Sequence, residues 1–412
     1  MSLIVPFKGL RPAEGRATDV VAPPYDVMNA AEAREMARGR PWSFLHISRP
    51  EIDLPEGTDP YASEVYAKAR ENLDRMIAEG VLVRDSKPCY YAYRLTMAEH
   101  VQTGLVAAAS VEAYDADRIR KHEYTRPVKE NDRVRQIEAL NAQTGPVFLV
   151  YRANAAVDEV LAGVSQQQPD VDVTARDGVR HEIWVIDDDK RIDALTSAFD
   201  AMDALYVADG HHRSASASRV AHARRESRPD QTAGESGEYF LSVIFPDDQM
   251  QILDYNRVIK DLGGLTSQAF QERVAGVFSV EPSRTPVKPA ASGQFGMYLE
   301  GQWYLLTVPL DRIPDDPVES LDVSLLANNL IAPILGITDQ RTDDRIDFVG
   351  GIRGLEGLMQ RVDSGEMAVA FSLFATSMQA LMAVADAGEV MPPKSTWFEP
   401  KLLDGVVCHV LD

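Results

Sequence analysis

The segment Leu205–Arg213 constrains the fold most strongly, because an apolar run ends abruptly in polar residues and a helical pattern follows at once. Its sequence is Leu-Tyr-Val-Ala-Asp-Gly-His-His-Arg. The apolar residues Ala204–Ala208 predict a buried strand, and Gly210 permits a tight turn. Residues Arg213–Arg225 then predict a helix. A strand that leads directly into a helix is typical of chains that mix both kinds of element.

Most of the remaining chain also alternates between strand and helix patterns. Apolar residues recur at helical spacing from Tyr61 to Gly80, and a shorter helical pattern lies between Arg133 and Ala142. Two aromatic or β-branched runs, Pro88–Leu95 and Thr103–Val111, predict a β-hairpin. Further strands are predicted at Pro146–Tyr151, His181–Ile186, Tyr239–Phe245, Gly296–Leu299, Gln302–Val308 and Met367–Phe371. The predicted fold class is therefore mixed α/β (α+β).

The length of 412 residues predicts two or three domains or one large domain with lobes. We predict an N-terminal mixed α/β lobe at 1–115, a core at 116–285 and a C-terminal mixed α/β lobe at 286–412. Together these three parts would form one unit at the level of the family. Within them, Glu281–Gly296 has three prolines and several small residues, which predicts a linker or a long loop. A Gly- and Ser-containing loop is predicted around Thr232–Gly237.

The charge balance excludes one class of partner. The chain has 63 Asp and Glu against 42 Lys and Arg, which gives a formal net charge of −21. Proteins that bind nucleic acid neutralise many phosphates with cations, so no nucleic-acid partner is expected here. A small anionic ligand in a local basic pocket remains compatible with this balance.

The sequence also predicts a cytoplasmic protein that does not interact with a membrane. Its first residues lack the cationic start and long apolar stretch of a signal peptide, and no apolar run approaches the roughly 18 residues of a spanning helix. Cys89 and Cys408 are too few for a disulfide framework and have no zinc-site spacing. Both are interpreted as small core residues.

The turn after Ala208 carries the strongest candidate chemistry. Free N–H groups at the start of a helix favour a phosphate, and His211, His212 and Arg213 add donors. The carboxylate of Asp209 is suited to holding a hydroxyl, an ammonium group or a magnesium-bound water. Two other interpretations remain open: Asp209 could cap the helix while the histidines make structural hydrogen bonds, or, less favoured, the histidines could bind zinc.

A second cluster lies between Ile119 and Arg133. His122 and Glu123 pair an imidazole with a carboxylate, a combination suited to acid–base chemistry. Three cations, Arg126, Lys129 and Arg133, could neutralise phosphate oxygens. The alternative is that this mixed-charge stretch forms a solvated loop or helix face.

Three other stretches are candidates for a pocket or for structural roles. Residues Gln340–Gly351 alternate in charge before a glycine pair, which favours an internal salt-bridge network over a ligand rim. The proline-stiffened loops Ala22–Asp26 and Pro392–Phe398 could line a pocket through Tyr25, Asp26 or Lys394, or could be rigid turns.

Taken in order, these motifs resemble those of a large bacterial and archaeal family catalogued as domain of unknown function 1015. The resemblance spans nearly the whole chain. It depends on the following motifs: Pro-Pro-Tyr-Asp at 23–26, His-Glu-x-Thr at 122–125, Ala-Asp-Gly-His-His-Arg at 208–213, Asp-Asp-Arg-Ile-Asp-Phe at 343–348 and Pro-Pro-Lys-Ser-Thr at 392–396.

More distantly, the Asp-Gly-His-His-Arg turn is similar to that of ParB/sulfiredoxin-like proteins, in particular free L-serine kinases. That resemblance implies a ParB/sulfiredoxin-like core around the strand, turn and helix, with additional mixed α/β lobes. It also implies that Asp209 orients or activates a substrate hydroxyl and that Gly210–Arg213 hold a donor phosphate. Glu123, 86 residues before Asp209, would correspond to the glutamate base of those kinases. The segment has no counterpart of the sulfiredoxin cysteine, which argues against sulfinic-acid repair.

The function expected from the sequence is phosphoryl transfer to a small metabolite that bears a hydroxyl, with free L-serine as the first candidate. The resemblance implies a nucleotide or pyrophosphate as the donor, with ATP, ADP and pyrophosphate as the candidates. Phosphoryl transfer also needs neutralisation of phosphate charge, for which Mg²⁺ is expected. Phosphate-ester or nucleotide hydrolysis at the same pocket and a non-catalytic nucleotide-sensing or protein-binding module are the alternatives. The expected catalytic residues are Glu123, Asp209 and His212, and the expected binding residues are Gly210, His211, Arg213, Arg126, Lys129 and Arg133.

Overall fold

The computed structural model describes residues 2–227 and 236–412, so most of the loop predicted around Thr232–Gly237 lies outside the described residues. The chain divides into two compact units. The first unit comprises Met1–Met250 and Pro400–Asp412, and the second comprises Gln251–Glu399. These boundaries differ from the predicted ones at 115/116 and 285/286, and the three-part division stays a prediction.

Short strands make up much of the described chain. In chain order they are β1 (Ile4–Val5), β2 (Gly9–Pro12), β3 (Leu82–Arg84), β4 (Tyr90–Met97), β5 (His100–Ser110), β6 (Ile119–Arg120), β7 (Ala142–Gln143), β8 (Val147–Tyr151), β9 (Val171–Thr174), β10 (Arg180–Ile186), β11 (Leu205–Asp209), β12 (Tyr239–Pro246), β13 (Gln251–Leu253), β14 (Tyr255–Ile259), β15 (Ser279–Ser283), β16 (Gln294–Leu299), β17 (Gln302–Thr307), β18 (Ile346–Gly350), β19 (Val369–Leu373), β20 (Trp397–Glu399) and β21 (Cys408–Val410).

Helices of varied length alternate with these strands, which makes the fold mixed α/β as predicted. They are α1 (Ala17–Val20), α2 (Ala30–Ala37), α3 (Leu45–Ser48), α4 (Ser63–Ala78), α5 (Val111–Asp115), α6 (Pro127–Leu140), α7 (Ala155–Val164), α8 (Asp189–Asp200), α9 (His211–Ser227), α10 (Ser267–Ala275), α11 (Asp322–Leu326), α12 (Ala332–Leu335), α13 (Gly354–Asp363) and α14 (Met378–Asp386). No helix in the described residues is both long and apolar enough to cross a bilayer.

A mixed sheet forms the centre of the first unit. Its order is β6-β11-β8-β12-β5-β4-β10-β9, and β1 also pairs with β5. The pairs β6–β11 and β8–β12 are parallel, whereas the pairs from β12 to β9 are antiparallel. Strand β8 (Val147–Tyr151) is buried along its whole length. Such a strand needs apolar residues on both faces, which explains its uninterrupted apolar run.

The predicted hairpin of β4 and β5 is confirmed, with Tyr91 opposite Val106 and Met97 opposite His100. Strand β5 also pairs with β12, so its Gly104 lies in the interior of the sheet. A Cβ atom added at Gly104 would lie 2.6 Å from the carbonyl oxygen of Ile244. This backbone approach requires glycine at that position.

A smaller sheet brings distant parts of the first unit together. Its order is β3-β2-β21-β7, so β21 from the segment 400–412 pairs with β2 and with β7. An isolated bridge between Ala22 and Asp404 adds a further link. Cys408 on β21 and Cys89 are both buried free thiols, in agreement with the prediction that they are core residues.

The second unit contains a six-stranded antiparallel sheet of order β15-β17-β16-β19-β14-β18, and a two-stranded sheet of β13 and β20. The predicted hairpin around Glu300 joins β16 and β17. The segment Glu281–Gly296, predicted as a linker or a long loop, lies within this unit as the end of β15, a loop and the start of β16. Pro282 is tolerated there because β15 is an edge strand.

Replacing Gly104 with alanine is expected to lower the free energy of unfolding by about 1–3 kcal/mol, because the new methyl group meets a backbone oxygen that cannot move freely. Urea unfolding followed by circular dichroism measures this. The matched control is Gly163→Ala on α7, where an added Cβ would meet nothing within 4 Å. That control is expected to raise the free energy of unfolding by about 0.5–1 kcal/mol. Equal stability of the two variants would contradict the packing argument.

Candidate functional site

The turn between β11 and α9 is built by a bulge and a glycine. The pairing of β11 with β8 shifts between Val207 and Asp209, which turns the end of the strand out of the regular ladder. Gly210 has a φ of +96°, and a Cβ there would lie 3.4 Å from the Cα of Val147. Both facts favour glycine at this position. The helix begins at His211, two residues before the predicted start, so both histidines of the motif lie in its first turn.

Asp209 is an ionised carboxylate held by a lysine that the sequence analysis did not find. The Nζ of Lys401 lies 3.3 Å from Oδ2 of Asp209, and the Asp209 side chain is 45% exposed. Burial would raise the pKa of Asp209, but the positive charges of Lys401 and Arg213 outweigh it and hold the pKa below its ordinary value. The group is therefore negatively charged at neutral pH and open to a ligand.

His211 connects Glu123 with the turn. The backbone N–H of His122 donates to Nε2 of His211 at 3.4 Å, so the ring proton of neutral His211 is on Nδ1. That Nδ1 lies 3.8 Å from Oε2 of Glu123, whose side chain is 56% exposed. Burial and the neighbouring His122 ring, whose centroid lies 4.5 Å away, keep the pKa of His211 well below its ordinary value. The two predicted motifs thus meet at one buried, neutral imidazole.

His212 and Arg126 meet on the outer side of the turn. The backbone N–H of Arg126 donates to Nε2 of His212 at 2.9 Å. Burial and the nearby charge of Arg126 lower the pKa of His212, so this ring is also neutral at pH 7. The side chains of Arg126 and Lys129 are exposed at the start of α6. They lie where an incoming anion would first encounter the protein.

Arg213 points to the other side of the turn, towards the N-terminal loop. Its Nη1 donates to the carbonyl oxygen of Pro146 at 2.8 Å, and its Nη2 lies 3.4 Å from Oδ2 of Asp26. Its guanidinium also lies 5.4 Å from the ring centroid of Tyr25. Arg133 approaches the same ring at 4.0 Å and pairs with Asp132 at 2.7 Å. Tyr25 and Asp26, which were predicted to line a pocket or to form a rigid turn, therefore contact two of the predicted phosphate-binding arginines.

A small cavity of about 30 Å³ lies behind these arginines. Burial raises the pKa of Asp404 in its wall to about 7, although Arg213 and Arg133 act in the opposite direction. The Oδ1 atom of Asp404 has no hydrogen-bond partner in the part of the chain that the structure describes. The lining residues are Tyr25, Ser48, Arg133, Gln136, Ile137, Ala142, Gln143, Thr144, Gly145, Val147, Arg213, Phe240, Leu241 and Asp404. Glu123 and Asp209 are not among them, so the cavity and the exposed turn are two compartments that share Arg213.

The remaining predicted clusters lie in the second unit. Arg341, Arg345 and Arg361 pair with three different aspartates at 2.9, 2.8 and 2.9 Å, so this stretch forms ion pairs, and a connected internal network stays a prediction. In the loop Pro392–Phe398, the backbone oxygen of Lys394 accepts from Arg257 at 3.0 Å. Within residues 2–227 and 236–412 no group of three or more His, Cys, Asp and Glu side chains is arranged to hold a metal ion.

Comparison with known families shows where the chain belongs. The model of the family described as "Protein of unknown function (DUF1015)" matches residues 4–324. The chain is therefore a member of this family, as its motifs predicted. A search of curated proteins finds no match.

Solved structures show a loose likeness. A conserved hypothetical protein from Pyrococcus furiosus is 16% identical, with 73% of this chain and 94% of that chain covered and a TM-score of 0.35. A free serine kinase in complex with AMP is 15% identical, with coverages of 74% and 91% and a TM-score of 0.35. SbnI with a C-terminal truncation from Staphylococcus aureus is 12% identical, with coverages of 73% and 85% and a TM-score of 0.38. At such TM-scores no residue role is transferred.

Asp404 is expected to make stability depend on pH in a defined direction. Its pKa is about 7 in the folded protein against an ordinary value of 3.8, so between about pH 4 and pH 7 the folded state keeps a proton that the unfolded chain has released. Stability from this group is therefore lost as the pH rises through that window. Asp404→Asn should gain roughly 1–4 kcal/mol of unfolding free energy relative to the natural protein between pH 4 and pH 8. Urea unfolding at both pH values measures it, and parallel curves would contradict the assignment.

Proposed function

We propose that this DUF1015 protein transfers a phosphoryl group to the hydroxyl of a small metabolite at the turn between β11 and α9. Free L-serine is the first acceptor to test, and ATP, ADP or pyrophosphate is the donor. The observations that carry the proposal are two features of the same turn. Glu123 lies 3.8 Å from the neutral ring of His211, and the charges of Lys401 and Arg213 keep Asp209 ionised. Phosphoryl transfer needs this combination of a proton acceptor and fixed positive charge.

The donor phosphate would sit on the first turn of α9. Helical N–H groups before Arg213 point out of the helix end, where they favour an anion. Neutral His212 offers a ring N–H, since its Nε2 already accepts from Arg126. Lys401 and the exposed side chains of Arg126 and Lys129 add positive charge at this side of the turn. These groups would neutralise the charge that builds up on the transferred phosphate.

Glu123 is the better base of the two carboxylates. The pKa of Asp209 is held low by Lys401 and Arg213, and a weakly basic carboxylate is a poor proton acceptor. Glu123 is exposed, and its Oε2 atom lies 3.8 Å from Nδ1 of His211, close enough for the ring proton to attract it. In the reaction, the acceptor oxygen forms a bond to the donor's terminal phosphorus while the bond from phosphorus to the leaving ADP, AMP or phosphate breaks. Glu123 takes the hydroxyl proton, and Asp209 orients the hydroxyl.

The residues at the turn also fit a magnesium nucleotide. Mg²⁺ is usually held by one or two carboxylates together with substrate phosphates, so Asp209 and the donor would supply its ligands. When bound, the ion would neutralise charge on the donor phosphates. The ParB/sulfiredoxin-like core expected from the motif belongs to the same proposal, since it is the fold in which free serine kinases use this turn.

The first experiment tests the reaction directly. Purified full-length protein is incubated with L-serine, Mg²⁺ and each donor in turn, and phosphoserine is followed by mass spectrometry. The proposal expects phosphoserine with at least one donor. Donor consumption without phosphoserine would favour the hydrolase, and binding of a donor without turnover would favour the sensing module.

Substitution of the carboxylates is expected to separate catalysis from binding. Glu123→Gln should lower kcat by about 10²–10⁴-fold with little change in donor affinity, because it removes the proton acceptor and keeps the shape. Asp209→Asn should also lower kcat by about 100-fold or more, since it removes a charge that faces the acceptor. Steady-state kinetics and donor titrations measure both effects. Glu138→Gln, an exposed glutamate on α6, is the matched control and should keep full activity. Full activity of Glu123→Gln would exclude Glu123 as the base.

A further inference from the structure

The cavity lined by Arg213 is separate from the proposed phosphate site, and the proposed function assigns it no ligand. Glu123 and Asp209 do not line it, whereas Arg133, Arg213 and Asp404 do. The cavity has a volume of about 30 Å³, and a buried water needs about 10–15 Å³, so the cavity has room for a few polar atoms. It is only partly enclosed, so a ligand can enter from outside. Arg133 was predicted to bind donor phosphate, but its guanidinium lies against Tyr25 in the wall of this cavity.

One carboxylate oxygen of a cavity-lining residue receives no hydrogen bond from the described residues. Asp404 lines the cavity and is 2% exposed, and its Oδ1 atom has no partner within residues 2–227 and 236–412. Leaving a buried carboxylate oxygen unpaired costs free energy, so such an atom calls for a donor from water or from a ligand. A cationic donor would gain most, because Asp404 is charged when its proton is released. Ser48 also lines the cavity, and its buried Oγ atom likewise has no hydrogen-bond partner among the described residues.

The cations of the cavity already have partners of their own. Arg133 pairs with Asp132 and Arg213 with Asp26, so two positive charges are balanced by two negative charges. Asp404 is the additional carboxylate. With Asp404 charged, the region has one excess negative charge, and a purely anionic ligand would add a second. A ligand with both signs adds no net charge and can place its cationic group beside Asp404 and its anionic group beside the arginines.

We propose that this cavity binds the α-amino acid group of the acceptor, with the ammonium against Oδ1 of Asp404 and the carboxylate against the guanidinium groups of Arg133 and Arg213. The proposal rests on the proposed function, because it takes the ligand to be the acceptor of that reaction. It assigns Arg133 and Asp404 to substrate recognition and leaves the donor phosphate to the outer side of the turn. Arg213 lies between the two compartments, so the acceptor's side chain would extend towards Asp209.

A set of three ligands tests the two contacts by isothermal titration calorimetry on the full-length protein at pH 7.5. L-Serine carries both charged groups, L-glycerate replaces the ammonium with a hydroxyl, and ethanolamine lacks the carboxylate. We expect L-serine to bind at least ten-fold more tightly than either analogue. Because the ammonium lowers the pKa of Asp404, titrations at pH 6.5 in buffers of different ionisation enthalpy should also show proton release on binding.

Two variants show which wall makes each contact. Asp404→Asn should weaken L-serine binding at least ten-fold and remove the preference over glycerate. Arg133→Gln should remove the preference over ethanolamine. The matched control is Asp322→Asn, a buried aspartate of the second unit, which should leave L-serine binding unchanged. Thermal unfolding of each variant verifies that it is folded, and if Asp404→Asn fails to fold, Arg133→Gln and proton release decide.

The proposal is overturned if the natural protein binds neither L-serine nor glycine. It is also overturned if glycerate binds as tightly as L-serine, or if folded Asp404→Asn keeps full affinity. The phosphoserine assay distinguishes these results from a failure of the proposed function. If the protein forms phosphoserine and Asp404→Asn binds serine with unchanged affinity, the cavity proposal is rejected and the proposed kinase activity is supported. If serine binding depends on Asp404 but no phosphoserine forms, the cavity proposal is supported and the proposed kinase activity is rejected.

Discussion

The guanidinium of Arg213 is the interaction on which the candidate site depends. It joins the turn after β11 to the strand start at Pro146 and to Asp26 in the N-terminal loop, and its charge lowers the pKa of Asp209. A largely buried arginine is stable in such a place only because several acceptors surround it. The same contacts fix the first turn of α9, so the histidines of the motif have defined directions. Anchoring by one cation therefore organises both compartments.

The electrostatics of the turn follow from unequal burial. His211 is buried and neutral, whereas the carboxylates beside it remain partly exposed and, in the case of Asp209, charged. The region around the turn therefore contains a neutral imidazole and an ionised carboxylate close together. Asp404 represents the opposite case, because burial raises its pKa to about 7. The first unit thus contains two aspartates with opposite pKa shifts, one at the turn and one in the wall of the cavity.

Local patterns predicted the parts of the site, and distant contacts decided how they meet. The apolar run before Asp209 predicted β11, and the adjoining residues predicted the turn and the helix, because these signals lie within a few neighbours along the chain. The start of α9 was placed two residues late, since histidines carry little helical signal. Lys401 and Asp404 could not be found from the sequence. They lie 192 and 195 residues after Asp209, and a lysine and an aspartate in a C-terminal stretch have no distinguishing pattern.

The return of β21 to the first unit has a consequence for biosynthesis. Lys401 and Asp404 follow the 149 residues of Gln251–Glu399 in the chain, so the ribosome makes the whole second unit before it makes them. At about 5–20 residues per second, that interval lasts roughly 7–30 s. During this time the nascent first unit lacks β21, and its strands β2 and β7 have no partner between them. The backbone N–H and C=O groups along these edges are unpaired in that interval and can pair with other chains until β21 has been made.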